Sequence, residues 1–396
     1  MTPASAAEPL YLDACATAPP AVAVLEAMAL VQQRGWANPS SLHGFGLEAA
    51  EQLERARCSL AQGLGCPPDW ITFCSGGTEA AALALCGAAG ALAPGRLVIS
   101  AVEHPAVTAA AQQLQHQGWQ LVRWPVDRGG RVDLSRIDEL LAPPTRLVSV
   151  IWGQSEVGTL NPVEEIGEAC RSQGVVFHTD AVQVIGHRPL VLEQLPIDLL
   201  SCTAHKLQGP RGIGAVVAHP RLPLRPLLPG GGQESGRRGG TESVVLASGF
   251  AAALEQRQRF LVRGAGRDPQ QDLRDQLMQR LLGLPGVRLS GHAQLRLPHH
   301  LSLLVSDQQG QPLPGRRLVQ QLWRQGFAVA SGTACSSGAA APSPVLLAMG
   351  YSPVEASSGI RISLGPWLEP EQVATLPERL AAALSQAQDQ LSASAS

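Results

Sequence analysis

The stretch SCTAHKLQGP (201–210) holds the only lysine of a 396-residue chain; every other one of its 30 Lys and Arg residues is arginine. Arginine would serve as well for solubility or a surface ion pair. Lysine alone can lose its proton inside a protein and become a nucleophile. Its neutral amine forms Schiff bases with carbonyls, including the aldehyde of pyridoxal phosphate (PLP). Lys206 is therefore a candidate catalytic residue, unless it is a chance survivor in an arginine-favouring genome. The chemistry of the neighbouring segments decides.

Asp180 and Gln183 lie in HTDAVQ, at the end of a strand-like run upstream of Lys206. In open α/β sheets, sites form beyond the carboxyl ends of such strands. An aspartate there can pair with a pyridinium nitrogen and keep the ring electron-withdrawing; a helix cap is the alternative. CSGGTEAAALAL reads as strand, glycine turn and helix, so Gly76, Gly77 and Thr78 can offer amides and a hydroxyl to a phosphate. A plain strand-to-helix turn is the alternative there. In SAVEHPAV, His104 follows a strand and can stack on a flat heterocycle or carry protons near neutral pH. In the turn-rich ANPSSLHGFG, the asparagine and serines can bind a carboxylate, while His43 reads as structural. Together these pieces supply an amine, an acid for a ring nitrogen, a phosphate cradle and a stacking imidazole.

The elements that must position them follow from periodicity. Leu47, Ala50, Leu53, Leu60 and Leu64 mark one face of a helix stopping near Gly63 and Gly65. WITFC, RLVIS, RLVSVIWG, GVVFHTD and IDLLSCT are short apolar runs of strand length, separated by helix-like stretches such as Val163 to Gln173. Strands alternating with helices imply a mostly parallel sheet covered on both faces. LPGGGQESGRRGGTE (228–242) is too glycine-rich for regular structure and reads as a functional loop. Beyond about residue 262 the rhythm changes to a polar helix (Pro269 to Leu282), the strand-like HLSLLV, FAVAS and SGIRISL, and a helix from about Pro377. The expected division is 18–262 as a large domain, with 1–17 and 263–396 as a smaller α+β domain. The SASAS tail reads as disordered.

Composition bounds the rest. Hydrophobic residues at 45% and charged residues at 16% describe a globular protein with ample core. A net charge of −2 gives no reason to expect nucleic acid or an anionic membrane as partner. MTPASAAEPL lacks the basic start and apolar run of a signal peptide, and the longest near-apolar stretch, Ala80 to Ala93, is too short to span a membrane. A cytoplasmic location is expected. Eight cysteines in so long a chain form no disulfide framework and no CxxC pair, so no metal site is expected. Cys74, Cys86, Cys170 and Cys202 sit among apolar or small residues and read as buried. Cys335, in FAVASGTACSSGAA, lies among small flexible residues and reads as an accessible thiol on a mobile loop.

From YLDACATAPP to SGIRISLG the chain resembles the cysteine desulfurases of the class V, fold-type I PLP enzymes. The resemblance rests on NPSSLHGFG, SGGTEAA, EHPAV, HTDAVQ with SCTAHKLQGPRGIGA, GGGQESGRRGGT and SGTACSSG, in that order. It implies an α/β PLP-dependent transferase fold whose large domain carries the mostly parallel sheet. It also implies roles: Lys206 holds PLP as a Schiff base, Asp180 pairs with the ring nitrogen, Gln183 and Ser155 reach the ring hydroxyl, and His104 stacks on the ring. Gly77, Thr78, Thr203 and His205 bind the phosphate, with Thr241 completing that site from the neighbouring subunit of a homodimer. Arg361, helped by Asn38, binds the carboxylate of L-cysteine. Lys206 moves the Cα proton, Cys335 takes the sulfur as a persulfide, and alanine leaves. A sulfur-acceptor or scaffold protein then serves iron–sulfur cluster or other sulfur-transfer pathways.

Several positions depart from the family pattern. Gln154 and Ser155 stand where two asparagines are usual, Ala14 where asparagine is, and Ser235 where arginine is. Two rival readings keep the fold. Another class V enzyme, such as a selenocysteine lyase, would need Lys206 and Asp180 but not Cys335. A non-catalytic dimer would have no reason to keep the one lysine.

Overall fold

A computed structural model of the chain describes residues 8–332 and 341–395. Its centre is a seven-stranded sheet made of β1 (Ile71–Cys74), β2 (Arg96–Ser100), β3 (Gln120–Trp124), β4 (Thr145–Ser149), β5 (Val176–Asp180), β6 (Leu199–Thr203) and β7 (Gly214–Ala218). The spatial order is β1-β7-β6-β5-β4-β2-β3. All pairs are parallel except those of β7, which runs antiparallel to both β1 and β6. Every residue of β5 and β6 is buried, as a strand covered on both faces must be. The register pairs Asp180, the last residue of β5, with Ser201, so β6 runs two residues further before its own end at Thr203.

Helices cover both faces. On one side, α1 (Val22–Arg34), α2 (Gly44–Leu64), α5 (Val163–Gln173) and α6 (Val244–Arg263) build the larger core with Phe177, Leu200 and Val217. On the other, α3 (Gly77–Ala82), prolonged by a π-helical turn over Leu83–Gly87, and α4 (Pro105–His116) pack on Leu97, Ile99 and Leu199. His43 caps α2, its Nδ1 accepting the Gly46 amide at 3.3 Å, which is a structural role. The helix ends on Gly65 at φ 65°, a left-handed cap that favours glycine. Leu53, Leu60 and Leu64 are buried as expected, but Leu47, in the first turn, is 58% exposed.

The second sheet is antiparallel, β10 (Ala330–Ser331), β11 (Gly359–Ser363), β9 (His300–Val305) and β8 (Val287–Leu289) in spatial order. It packs with α7 (Gln270–Leu282), α8 (Gly315–Arg324) and α9 (Leu376–Ala395) around a core of its own. The N-terminal segment joins this half: Leu10–Tyr11 pairs parallel with Phe327–Ala328, Asp13 bridges to Ser363, and Leu12 is in the second core. α9 continues to Ala395, through most of the tail expected to be disordered, because its Ala- and Ser-rich residues do not break a helix. Among the described residues, no helix is long and apolar enough to cross a membrane.

Candidate active site

The carboxyl ends of β5 and β6 open into a cavity of about 610 Å³. Lys206 ends a 3₁₀ turn, Ala204–Lys206, immediately after β6. Its Nζ donates to the carbonyls of Cys15 at 2.6 Å and Ala16 at 2.7 Å. Burial disfavours the ammonium and lowers its pKa to about 8, so the amine is within reach of its neutral form near physiological pH.

Around it the cavity gathers Gly77, Thr78, His104, Ser155, Asp180, Gln183, Thr203, His205 and Arg361. Asp180 ends β5, is buried, and accepts the Val182 amide at 3.0 Å. Burial raises its pKa, while His104 and Lys206 pull it down. His104 caps α4 with Nδ1 accepting the Ala106 amide at 3.1 Å, which leaves Nε2 to carry the ring proton. Thr203 spends its hydroxyl on the Ile213 carbonyl at 2.9 Å. His205 pairs with the Thr17 hydroxyl at 3.1 Å, and burial lowers its pKa to about 4, so it is neutral. Gly77 and Thr78 open α3, whose first amides have no acceptor within the helix. Gly214 lets that turn approach β7: a Cβ on it would lie 2.8 Å from the Gly76 Cα.

Facing this wall, Arg361 on β11 donates Nη2 to Asp13 at 2.8 Å and Nη1 to the Ser155 carbonyl at 3.0 Å. Its buried Nε has no partner. Asn38 and Thr241 do not line the cavity; both are exposed, and Asn38 accepts the Ser40 amide at 2.9 Å. Cys335 lies outside the described residues.

The chain matches the family described as Aminotransferase class-V over residues 10–376. It belongs to that family. Among relatives, it is similar to the cysteine desulfurase of Klebsiella pneumoniae, 39% identical over 376 residues covering 93% of this chain and 92% of that one. Among solved structures, it is similar to a NifS-like protein at a TM-score of 0.86 and 32% identity, over 95% of this chain and 99% of that one. It is also similar to SspA, solved in complex with cysteine, at a TM-score of 0.78 and 29% identity, over 91% and 99% of the two chains. Within the class V family the chain is a cysteine desulfurase.

Seen as a class V site, the cavity also contains residues that sequence reasoning missed. Glu103 accepts the Ser100 hydroxyl at 2.6 Å and the Ile151 amide at 2.7 Å through one oxygen, and its other oxygen is buried without a partner. Burial raises its pKa to about 8. Glu156 accepts the Ser343 hydroxyl at 2.5 Å, and burial raises it to about 7 despite Arg361. Cys15 and Asp13 come from the segment threaded between the two sheets. The only available signal was their place inside YLDACATAPP, since nothing in their spacing announces burial. The Gln154 side chain is spent within the protein: Nε2 donates to the Val102 carbonyl at 3.2 Å, and Oε1 accepts the amides of Glu156 at 2.5 Å and Val157 at 3.0 Å. Ser155 is held through its carbonyl, by Arg361 and by His300 at 3.0 Å.

Proposed function

We propose that this cysteine desulfurase binds PLP covalently through Lys206 and removes sulfur from L-cysteine. The observation that carries the reading is the placement of the chain's one lysine: its amine, with a pKa near 8, shares a cavity with the buried Asp180 at the mouths of adjacent strands. The donor set fits the cofactor. A carboxyl at the end of β5 suits a pyridinium nitrogen, the opening of α3 offers amides to a phosphate, and the unpartnered Nε of Arg361 suits a carboxylate.

When bound, PLP draws electrons from the substrate Cα, making its proton acidic and the Cβ–S bond labile. Asp180 would pair with the ring nitrogen and hold a proton there. His104 would cover one face of the ring, and neutral His205 would join Thr78 and Gly77 at the phosphate, where Thr203 would serve only by turning its hydroxyl away from the Ile213 carbonyl. Gln183 and Ser155 would flank the ring hydroxyl. Arg361, fixed by Asp13 and the Ser155 carbonyl, would receive the substrate carboxylate. The neutral Lys206 amine takes the Cα proton. Cys335 accepts the substrate sulfur as a persulfide and alanine is released; Ser331, four positions earlier in the chain, lines the cavity. Thr241, exposed and outside its own cavity, serves the cavity of a second subunit, whereas Asn38, also outside the cavity, has no place beside Arg361 in this subunit. A separate acceptor or scaffold protein then takes the sulfur.

The test is reduction with borohydride in the presence of PLP, followed by mass spectrometry and an L-cysteine assay. Wild type should carry the cofactor on Lys206 and release alanine from L-cysteine. Lys206→Arg keeps the charge but cannot form a Schiff base, so both should be lost. Cofactor fixed only at the N-terminal amine, or alanine release undiminished in the variant, would refute the assignment.

A further inference from the structure

Residues 13–18 form a tight turn over the Lys206 side chain. The amides of Ala16 and Ala18 donate to the carbonyls of Asp13 at 3.0 Å and His205 at 2.8 Å, and the Tyr11 hydroxyl donates to the carbonyls of Asp13 at 3.0 Å and Thr17 at 2.8 Å. The turn aims two consecutive carbonyls, those of Cys15 and Ala16, at Nζ. Cys15 is the most constrained residue in it. Its amide donates to the Ser363 hydroxyl at 2.9 Å, its carbonyl also accepts Gln183 Nε2 at 3.0 Å, and its Sγ lies 3.4 Å from His299 Nε2. At 2% exposure the thiol is packed inward.

His299 is anchored in turn. Its ring stacks on His187 at 3.8 Å with 11° between the planes, and His187 Nδ1 meets Asp268 Oδ2 at 2.6 Å. Arg257 donates to the same carboxyl oxygen at 2.6 Å. His299 Nδ1 has no partner. A neutral ring protonated at Nε2 donates to Cys15 Sγ and leaves Nδ1 as a bare acceptor, so no buried N–H is stranded.

We propose that the Cys15–Ala16 carbonyl pair is a built docking site for the Lys206 amine whenever it is not covalently engaged, and that Cys15, Ser363 and His299 are positioning residues for it. The inference rests on the reading of Lys206 as the Schiff-base lysine. A long lysine side chain released into a cavity of this size gains rotamer freedom; two fixed acceptors hold it instead at one place in the cavity. Carbonyls accept and do not donate, so the dock favours the ammonium and opposes the burial that favours the neutral amine. The other groups facing the amine are Asp13, Asp180 and Arg361, with His104 and His205 nearby. The dock thus retains the amine after it takes up a proton.

Because the chain has one lysine, protein grown with lysine labelled with ¹⁵N at Nζ gives a single side-chain signal. In the cofactor-stripped full-length chain, that signal should be an ammonium whose protons exchange slowly with water. Cys15→Ala combined with Ser363→Ala should speed the exchange by about twofold to tenfold for each hydrogen bond lost or loosened. Cys15→Ser, which keeps a polar atom facing His299, should stay near wild type. Ser363→Ala alone should give a smaller change in the same direction if the double variant does not fold. Fast exchange in wild type, or slow exchange retained in a folded double or single Ser363→Ala variant, overturns the dock. PLP added to wild type should remove the ammonium signal. Its persistence would overturn the Schiff-base reading while leaving the dock standing.

Discussion

Burying a carboxyl with no cation beside it leaves a thermodynamic signature, and Glu103 should display it. Unfolded, this group ionises near 4.5; folded, burial holds its proton to about pH 8. Between those values the folded state binds more protons than the unfolded one, so the Glu103 contribution to stability is complete below about 4.5 and is lost as pH rises to about 8. Glu103→Gln imitates the protonated acid and cannot ionise. Urea midpoints of the cofactor-free protein should therefore fall less steeply over this window in the variant, and identical slopes would contradict the neutral-acid assignment. Individual residues were unevenly legible in the sequence. Lys206 was singled out by its uniqueness, and Asp180 and His104 by following strand-like runs. Glu103 sits beside His104 and was passed over, because its role depends on the Ile151 amide, 48 positions away.

At the level of elements, the glycine-rich loop 228–242 is anchored by a buried contact at its centre, besides the Arg238–Glu79 pair at 2.9 Å. Glu234 and Ser235 both adopt left-handed conformations, at φ 50° and 56°. What holds Glu234 there is Arg57 on α2, whose Nη1 and Nη2 donate to the two carboxylate oxygens at 2.8 and 2.7 Å, together with the Phe73 amide at 2.7 Å. Glu234→Ala would leave Nη2 of a buried guanidinium without its acceptor, while Glu54 and the Ile71 carbonyl still hold Nε and Nη1 at 3.0 Å. It should cost about 1–3 kcal/mol, read as a lower denaturation midpoint and faster proteolysis within the loop. A loss below 1 kcal/mol would mean that the loop is held elsewhere. The Arg57–Glu234 pairing was invisible to a reading by local pattern, although the loop itself was evident. The five expected strands all appear in the large sheet, because each is a continuous apolar run. β3 escaped notice as a half-exposed edge strand carrying the polar Gln120 and Arg123, and β7 because GAVVA is made of small residues. Leu47 was placed on the buried face of α2 by spacing alone, but the buried stripe runs through Gly46, Ala49 and Leu53, and Leu47 lies off it.

The whole molecule brings two sheets, each with its own core, to one cavity, with the N-terminal segment threaded between them. That arrangement explains why the site draws on residues from Asp13 to Arg361, and why motif order along the chain was more informative than any single motif. It also explains what the order could not reveal: the Arg361–Asp13 pairing and the Lys206 contact with Cys15 join residues 348 and 191 positions apart.

The central claim, that sulfur passes from L-cysteine to an enzyme thiol, is tested most directly with Cys335→Ala in a single turnover on the PLP-loaded protein. Alanine formed and persulfide on the protein are measured against wild type. The variant should bind PLP and change its visible spectrum with L-cysteine as wild type does, because Lys206 and Asp180 are intact. It should then form almost no persulfide and almost no alanine, a loss far beyond the few-fold effect of a disturbed segment. Alanine released by Cys335→Ala at the wild-type rate would contradict the account and point to a class V lyase that needs no thiol.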